Sequence, residues 1–488
     1  MRSTDPIPLL LAFLVTALGT AVRPAAGQAR VDRPPAPFSE AGLERLADSV
    51  VKAAMQREHI PGAALAVVRN SRIVLLKGYG FANLEKREPV DPRTTIFRIG
   101  SISKVFTANA VVQLADRSAV NLNDDVNRYL RRVKVPDSSW GPIRVEDLLD
   151  HSSGLDEIRP GTQAPTADAV LPLADFLRPR LVRVRPSGQV TSYSTYGMTL
   201  AGELVEEVSG LPFEAYLRQQ IWGPLGMTRT NITIPPALRQ SVSPGYELTN
   251  GVDAIAPWEW YHTTPASSVN STALDMAAFI KAHVGDTSIA RLVMSDRAYR
   301  DMHRQHMSMH PRLPGFALGF YEDYVGTLRV LEHGGQVAGF SSLLLIIPEA
   351  QTGIFVVSHH ENNQLRDVVK ETLLRYLFPA ARERLPVPAP RKGAGPYAAR
   401  FAGRYAPITS CHSCQPRSVP YIIDIKPNED GSLNMLGNRW VPVDSLLFVQ
   451  HEGTGYVTFR EDGSGRISEL FAGGFYSFER LPGNNSQP

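Results

Sequence analysis

Two blocks of strand-like sequence, residues 64–79 and 316–358, flank a long stretch in which apolar residues recur at helical spacing. Any sheet that uses both blocks is closed by segments far apart in the chain, with the helical stretch inserted between its strands. The first block divides at Asn70-Ser71 into runs 64–69 and 73–79, a hairpin pattern. The second holds runs 316–321, 328–332, 341–347 and 354–358. Helical spacing is clearest at 101–117, 199–208 and 272–283. Leu43, Leu46, Ala47, Val50, Val51 and Ala54 mark a helix before the first block, and residues 365–377 mark one after the second. The pattern predicts an α/β (α+β) fold, a sheet flanked by helices with an inserted mainly helical region, over residues 30–384.

The chain has 488 residues, more than one ordinary domain of about 100–200. Residues 385–396 (LPVPAPRKGAGP) read as a linker, stiff in the proline half and flexible in the glycine half. Beyond it, short β-like runs at 422–425, 446–450, 456–459 and 469–471 alternate with turn residues and predict a small all-β domain over 397–488. Hydrophobic residues make up 43% and charged residues 20%, the balance of a globular chain with a large core. A net charge of +3 without basic blocks gives no reason to expect a nucleic acid partner.

At the start, Arg2 precedes an apolar stretch over 9–22, and Gly27 and Ala29 frame a cleavage point before Arg30. Charged start, short apolar middle and small-residue exit predict a secretory signal at 1–29 and a secreted or periplasmic product. The apolar stretch has 14 residues, short of the roughly 20 needed to cross a bilayer, so no membrane span is expected after signal removal.

The chemistry begins at Ser101 and Lys104, which fall at the start of a predicted helix. An i, i+3 pair shares one helix face, so the amine can lie beside the hydroxyl. A serine hydroxyl is a poor nucleophile until a neighbour takes its proton. S-x-x-K alone is common, and a capping serine with a solvated lysine is the ordinary explanation of it. Two further segments change that: Tyr193-Ser194-Thr195 ahead of a helical run, and His333-Gly334-Gly335 after a strand-like run.

Together these segments resemble the three active-site elements, SxxK, YxN and K-T-G or H-x-G, of the serine β-lactamase and penicillin-binding protein superfamily. The branch most similar comprises class C β-lactamases, D,D-carboxypeptidases and related esterases. The stretches LLDHSSGL at 148–155, GELVEEVSG at 202–210 and GFSS at 339–342 are also similar to that family, in order, across residues 40–380. The resemblance implies a β-lactamase-like antiparallel sheet, with Ser101 as nucleophile, Lys104 and Tyr193 as a proton relay, and His333 facing tyrosine and substrate. A cationic neighbour would favour a Tyr193 phenolate usable as a base near neutral pH. The oxyanion hole would be the backbone N–H groups of Ser101 and Gln336, with Gly335 and Thr195 beside the substrate. No metal or organic cofactor is implied. The expected partner is a small-molecule or peptide-like substrate. Phe401-Ala402-Gly403-Arg404-Tyr405 is similar to the opening of the lipocalin-like barrels appended to many members.

Two departures bear on substrate. Thr195 stands where relatives have asparagine, exchanging a long carboxamide for a short hydroxyl, or else it simply caps the next helix. His333 replaces lysine, and a neutral imidazole holds a substrate carboxylate less firmly than a permanent cation. Both suit an esterase or tolerant peptidase better than a penicillin binder. The expected activity is therefore hydrolysis of an ester, amide or lactam through an acyl-serine. The alternatives are a D,D-carboxypeptidase or β-lactamase, or an inactive peptide- or antibiotic-binding module.

Other residues have plainer explanations. His303, His306 and His310 could share a helix face around a metal, but no HExxH-type carboxylate completes a site, and a solvated face is expected. Cys411 and Cys414 fit a local disulfide in an exported chain, with free thiols next. His151 is expected to support the active-site floor. Trp258 and Trp260 are either a substrate wall or core.

Overall fold

The computed structural model describes residues 38–382 and 395–482 apart from 250, 251, 418 and 454. The predicted signal at 1–29 and residues 385–394 of the predicted linker lie outside the described residues.

Asn70 and Ser71 take φ of 49° and 60°, a two-residue left-handed turn whose twist matches the strands it joins. Those strands are β1 (Gly62–Arg69) and β2 (Arg72–Asn83), followed by a short β3 (Glu88–Pro89). They are preceded by α1 (Glu40–Arg57), where the Ser39 hydroxyl accepts the Gly42 N–H as N-cap. The inserted region supplies α2 (Ser103–Asp116), α3 (Thr195–Ser209) and α4 (Ala273–His283). The chain then returns through β4 (Tyr321–Val325), β5 (Leu328–Val337), β6 (Phe340–Ile347), β7 (Thr352–Ser358) and α5 (Gln364–Leu377).

The seven strands form one sheet in the order β4-β5-β6-β7-β1-β2-β3, antiparallel throughout. Leu65 of β1 lies opposite Val356 of β7, so the two distant blocks meet at the middle of the sheet. Alternation along β1 divides two cores. Ala64, Ala66 and Val68 pack with α2, α3 and α4, while Ala63, Leu65 and Val67 pack with α1 and α5. Strands covered on both faces have no polar side to show, and their sequences are accordingly continuous apolar runs.

One predicted strand is corrected. Over 316–321 there is no continuous strand: Phe316 makes isolated bridges to Met307 and Tyr321, because the chain turns sharply at Gly319, whose φ is 78°. The sheet strand begins at Tyr321.

The C-terminal part is a closed eight-stranded barrel: β8 (Gly403–Pro407), β9 (Ile423–Pro427), β10 (Leu433–Met435), β11 (Asn438–Pro442), β12 (Leu447–Gln450), β13 (Tyr456–Glu461), β14 (Ile467–Ala472) and β15 (Tyr476–Arg480). Pairing of β8 with β15 closes it. Phe401, Trp440, Phe448 and Phe459 share its core. Eight strands leave an interior just wide enough for side chains, and here aromatic rings occupy it. Among the described residues no helix is long and apolar enough to cross a membrane.

Candidate active site

Ser101 stands in a single helical turn, Gly100–Ile102, that leads into α2. Gly100 has φ +53°, a left-handed conformation that suits glycine, and the turn leaves Ser101 half-exposed. Its brace comes from distant chain. Ser103 donates its hydroxyl to the Gly100 carbonyl at 2.6 Å and accepts the Val269 N–H at 3.0 Å. The Ser342 hydroxyl donates to the Ile99 carbonyl at 3.0 Å.

One turn on, Lys104 is buried. Its Nζ lies 3.2 Å from Ser101 Oγ, 2.9 Å from the Ala266 carbonyl and 4.7 Å from the centre of the Tyr193 ring. Burial strips the ammonium of hydration and lowers its pKa from 10.5 to about 7, against an opposing pull from Glu157. An amine poised there can donate to Ala266 while accepting a proton from Ser101.

The Tyr193 hydroxyl bonds to Ser101, and burial pushes its pKa above the usual value, so it stands as a phenol. This corrects the expectation of a phenolate. The lysine nitrogen lies against the ring face, and its lowered pKa leaves it only partly charged at neutral pH. Tyr193 is held by His151, whose ring lies 4.6 Å from it and whose Nδ1 accepts the Ser194 N–H at 3.1 Å. His151 is thus a bracket beneath the site.

His333, buried on β5, has its ring 6.1 Å from that of Tyr193 and 5.4 Å from that of Tyr321. Its Nδ1 donates to the Gly334 carbonyl at 2.7 Å, which sets the tautomer and leaves Nε2 as a lone-pair acceptor without a protein partner. Burial, with Lys104 nearby, drops its pKa to about 3. It is a neutral imidazole.

The same strand passes directly over the Ser101 turn. A β-carbon on Gly100 would come within 2.7 Å of the Gln336 nitrogen, and one on Gly335 within 1.9 Å of the Ile99 oxygen. The Gln336 side chain turns away to the Glu361 carbonyl and Asn363, so its backbone is the part presented to the Ser101 turn.

Thr195 begins α3, but Ser194 is the cap, accepting the Gly197 N–H at 2.9 Å. The capping alternative for Thr195 is therefore overturned. Its N–H donates to Glu157 Oε2 at 2.8 Å and its hydroxyl also bonds that carboxylate. Sequence reasoning missed Glu157, two residues beyond the LLDHSSGL stretch, because nothing local marks a carboxylate that will be buried.

The other candidates separate from the site. The helix Asp296–His303 ends at His303, so the three histidines share no face. The expected solvated face is also corrected. His303 is buried against His283 at 2.9 Å, and the His306 Nε2 meets the Asp301 carbonyl. His310 Nδ1 accepts the Arg312 N–H in a turn. Among the described residues no group of three or more His, Cys, Asp or Glu could hold a metal. Trp258 and Trp260 pair at 5.8 Å, with the Arg98 guanidinium 4.6 Å over Trp258. Cys411 and Cys414 are joined in a disulfide. Its loop docks on the part that holds the seven-stranded sheet: the Asp156 carboxylate accepts N–H groups of His412 and Ser413 at 2.9 and 2.8 Å and the Ser413 hydroxyl at 2.7 Å.

Residues 47–377 match the beta-lactamase family. The chain belongs to the beta-lactamase family. Protein flp of Staphylococcus aureus (strain N315) is similar, with 25% identity over 66% of this chain; the match spans 64% of the length of that relative. Among solved structures, the octameric penicillin-binding protein homologue from Pyrococcus abyssi is similar at 21% identity and a TM-score of 0.61, over 90% of this chain and all of that one. The class C beta lactamase from Rhodobacter sphaeroides is similar at 21% identity and a TM-score of 0.58, over 68% of this chain and 99% of its own.

Proposed function

We propose that this beta-lactamase-family chain is an exported hydrolase that cleaves an ester or related acyl donor through an acyl-Ser101 intermediate. The observation that carries the reading is the 3.2 Å contact between Ser101 Oγ and a buried Lys104 with its pKa near 7. In acylation Ser101 Oγ attacks the carbonyl carbon while its proton passes to neutral Lys104, directly or across the Tyr193 hydroxyl. Developing negative charge on the carbonyl oxygen is met by the N–H groups of Ser101 and Gln336. The proton then goes to the leaving group as the tetrahedral carbon collapses. Water takes the second step by the same relay, releasing the acid and restoring Ser101.

Engagement of Thr195 by Glu157 supports ester over penicillin chemistry, because neither group then offers the long carboxamide that an amide side chain would need. Export rests on the charged start and short apolar stretch before Arg30. Intact-mass spectrometry after incubation with activated esters and a fluorescent penicillin tests both points. Expected are a mature N-terminus at Arg30 and an acyl adduct or ester turnover that Ser101→Ala abolishes. Ester turnover unaffected by that substitution would remove the reading.

A further inference from the structure

The barrel hairpin β14–β15 turns through Gly473, Gly474 and Phe475, with φ of 58° and 72° at the two glycines. Gly474 touches the catalytic part so closely that a β-carbon would lie 2.3 Å from the Pro314 oxygen. That approach places Phe475 beside Tyr193 and Tyr321. Its ring centre lies 5.4 Å from Tyr193, 5.1 Å from Tyr321 and 5.9 Å from Phe316. Tyr193 bonds to Ser101, and Tyr321 adjoins His333.

The hairpin is pinned rather than loosely laid across. Thr191 and Ser477 hydroxyls meet at 3.3 Å, those of Ser192 and Thr409 at 3.2 Å, and Arg460 donates to the Gln189 carbonyl at 2.7 Å. All three contacts bind the barrel to the segment that leads into Tyr193. Yet Phe475 stays only half-buried beside Tyr193. The neighbouring imidazole is neutral, and rings dominate this side of the site.

We propose that Phe475 is a substrate-contacting specificity residue supplied by the barrel, forming with Tyr193 and Tyr321, and backed by the buried Phe316, an aromatic wall for an uncharged aryl group on the acyl side of the donor. Tilted ring pairs of this kind favour a flat apolar partner beyond the area they bury. The inference rests on the acyl-Ser101 reading and deepens it.

The test uses the full mature chain with acetyl and phenylacetyl esters of one phenol, and a small fluorophosphonate that labels Ser101. The wild type is expected to prefer the phenylacetyl ester. Phe475→Ala is expected to lower kcat/KM on that ester about tenfold, with less than about twofold change on the acetyl ester and in labelling rate. Phe475→Leu, which keeps an apolar side chain, is expected to recover part of the loss. A wild-type preference for the acetyl ester, no loss on either ester, or an equal loss on both esters and the label would overturn the proposal. Equal loss throughout would make Phe475 a prop for Tyr193. A wild type that takes no label and turns over neither ester overturns the acyl-serine reading itself.

Discussion

Gly335 and Ile99 pack main chain on main chain: a β-carbon at Gly335 would lie 1.9 Å from the Ile99 oxygen and 2.4 Å from the Ser342 hydroxyl that bonds it. This contact sets the distance between β5 and the turn that carries Ser101. Neither side has a flexible group able to move aside.

Gly335→Ala is therefore expected to spread strand and turn apart. Labelling of Ser101 by a fluorophosphonate should slow by about a hundredfold, the cost of misplacing an oxyanion donor. Stability should fall by about 1–3 kcal/mol, as for an overpacked core, read from the urea midpoint.

The rate should rise with pH through about 7. Lys104 accepts the Ser101 proton only as a free amine, and its pKa in the fold is lowered from 10.5 to about 7. Below that pH the protonated ammonium blocks acylation. Lys104→Arg, which stays charged, should reduce turnover about a thousandfold or more across the neutral range. A flat kcat/KM profile between pH 5 and 9 would contradict this assignment of the base.

Tyr193→Phe removes the hydroxyl bonded to Ser101 while leaving the ring against Lys104 and His151. Turnover should fall about a hundredfold or more with the fold intact, as for loss of a proton-transfer group. Single-turnover ester kinetics beside near-ultraviolet circular dichroism would show both.

Glu157 raises the Lys104 pKa through its charge and binds the Thr195 N–H. Glu157→Gln can keep an acceptor for that N–H but loses the charge, so the Lys104 pKa should fall further. The acid limb of the pH–rate profile is expected to move to lower pH by roughly half a unit. Movement to higher pH would show that Glu157 does not act on Lys104 by charge.

Asp156 holds the disulfide loop of the barrel by two backbone N–H groups and the Ser413 hydroxyl. Asp156→Ala leaves these donors unmatched and should cost about 1–3 kcal/mol. Ser413→Ala should cost less, and the double variant should fall short of the sum, since both changes break the same contact. Chemical denaturation of the four chains measures this coupling.

Much of the catalytic part is legible in the residues. Continuous apolar runs at 64–68 and 343–347 mark strands covered on both faces, and Asn70-Ser71 marks the turn between β1 and β2. The i, i+3 spacing of Ser101 and Lys104 places amine beside hydroxyl because helical geometry is local. The run at 316–321 misleads because Gly319 turns the chain there, and the turn is set by packing: its N–H donates to the Leu149 carbonyl at 2.9 Å. The three histidines mislead similarly, since a helix that stops at His303 removes the periodicity on which a shared face depends.

By itself the sequence determined most of the segments that become strands and helices, 316–321 apart, and which residue types stand in the SxxK, YxN-like and HxG positions. These follow from periodicity and short-range spacing. Only the tertiary structure decided how those groups are charged and what covers them. The protonation of Lys104, Tyr193 and His333 depends on burial by segments far away in the chain. Phe475 reaches Tyr193 only because a closed barrel, pinned at Asp156 and Thr191, brings its hairpin there. Desolvation and contact between distant segments are properties of the packed whole, and no local stretch of residues encodes them.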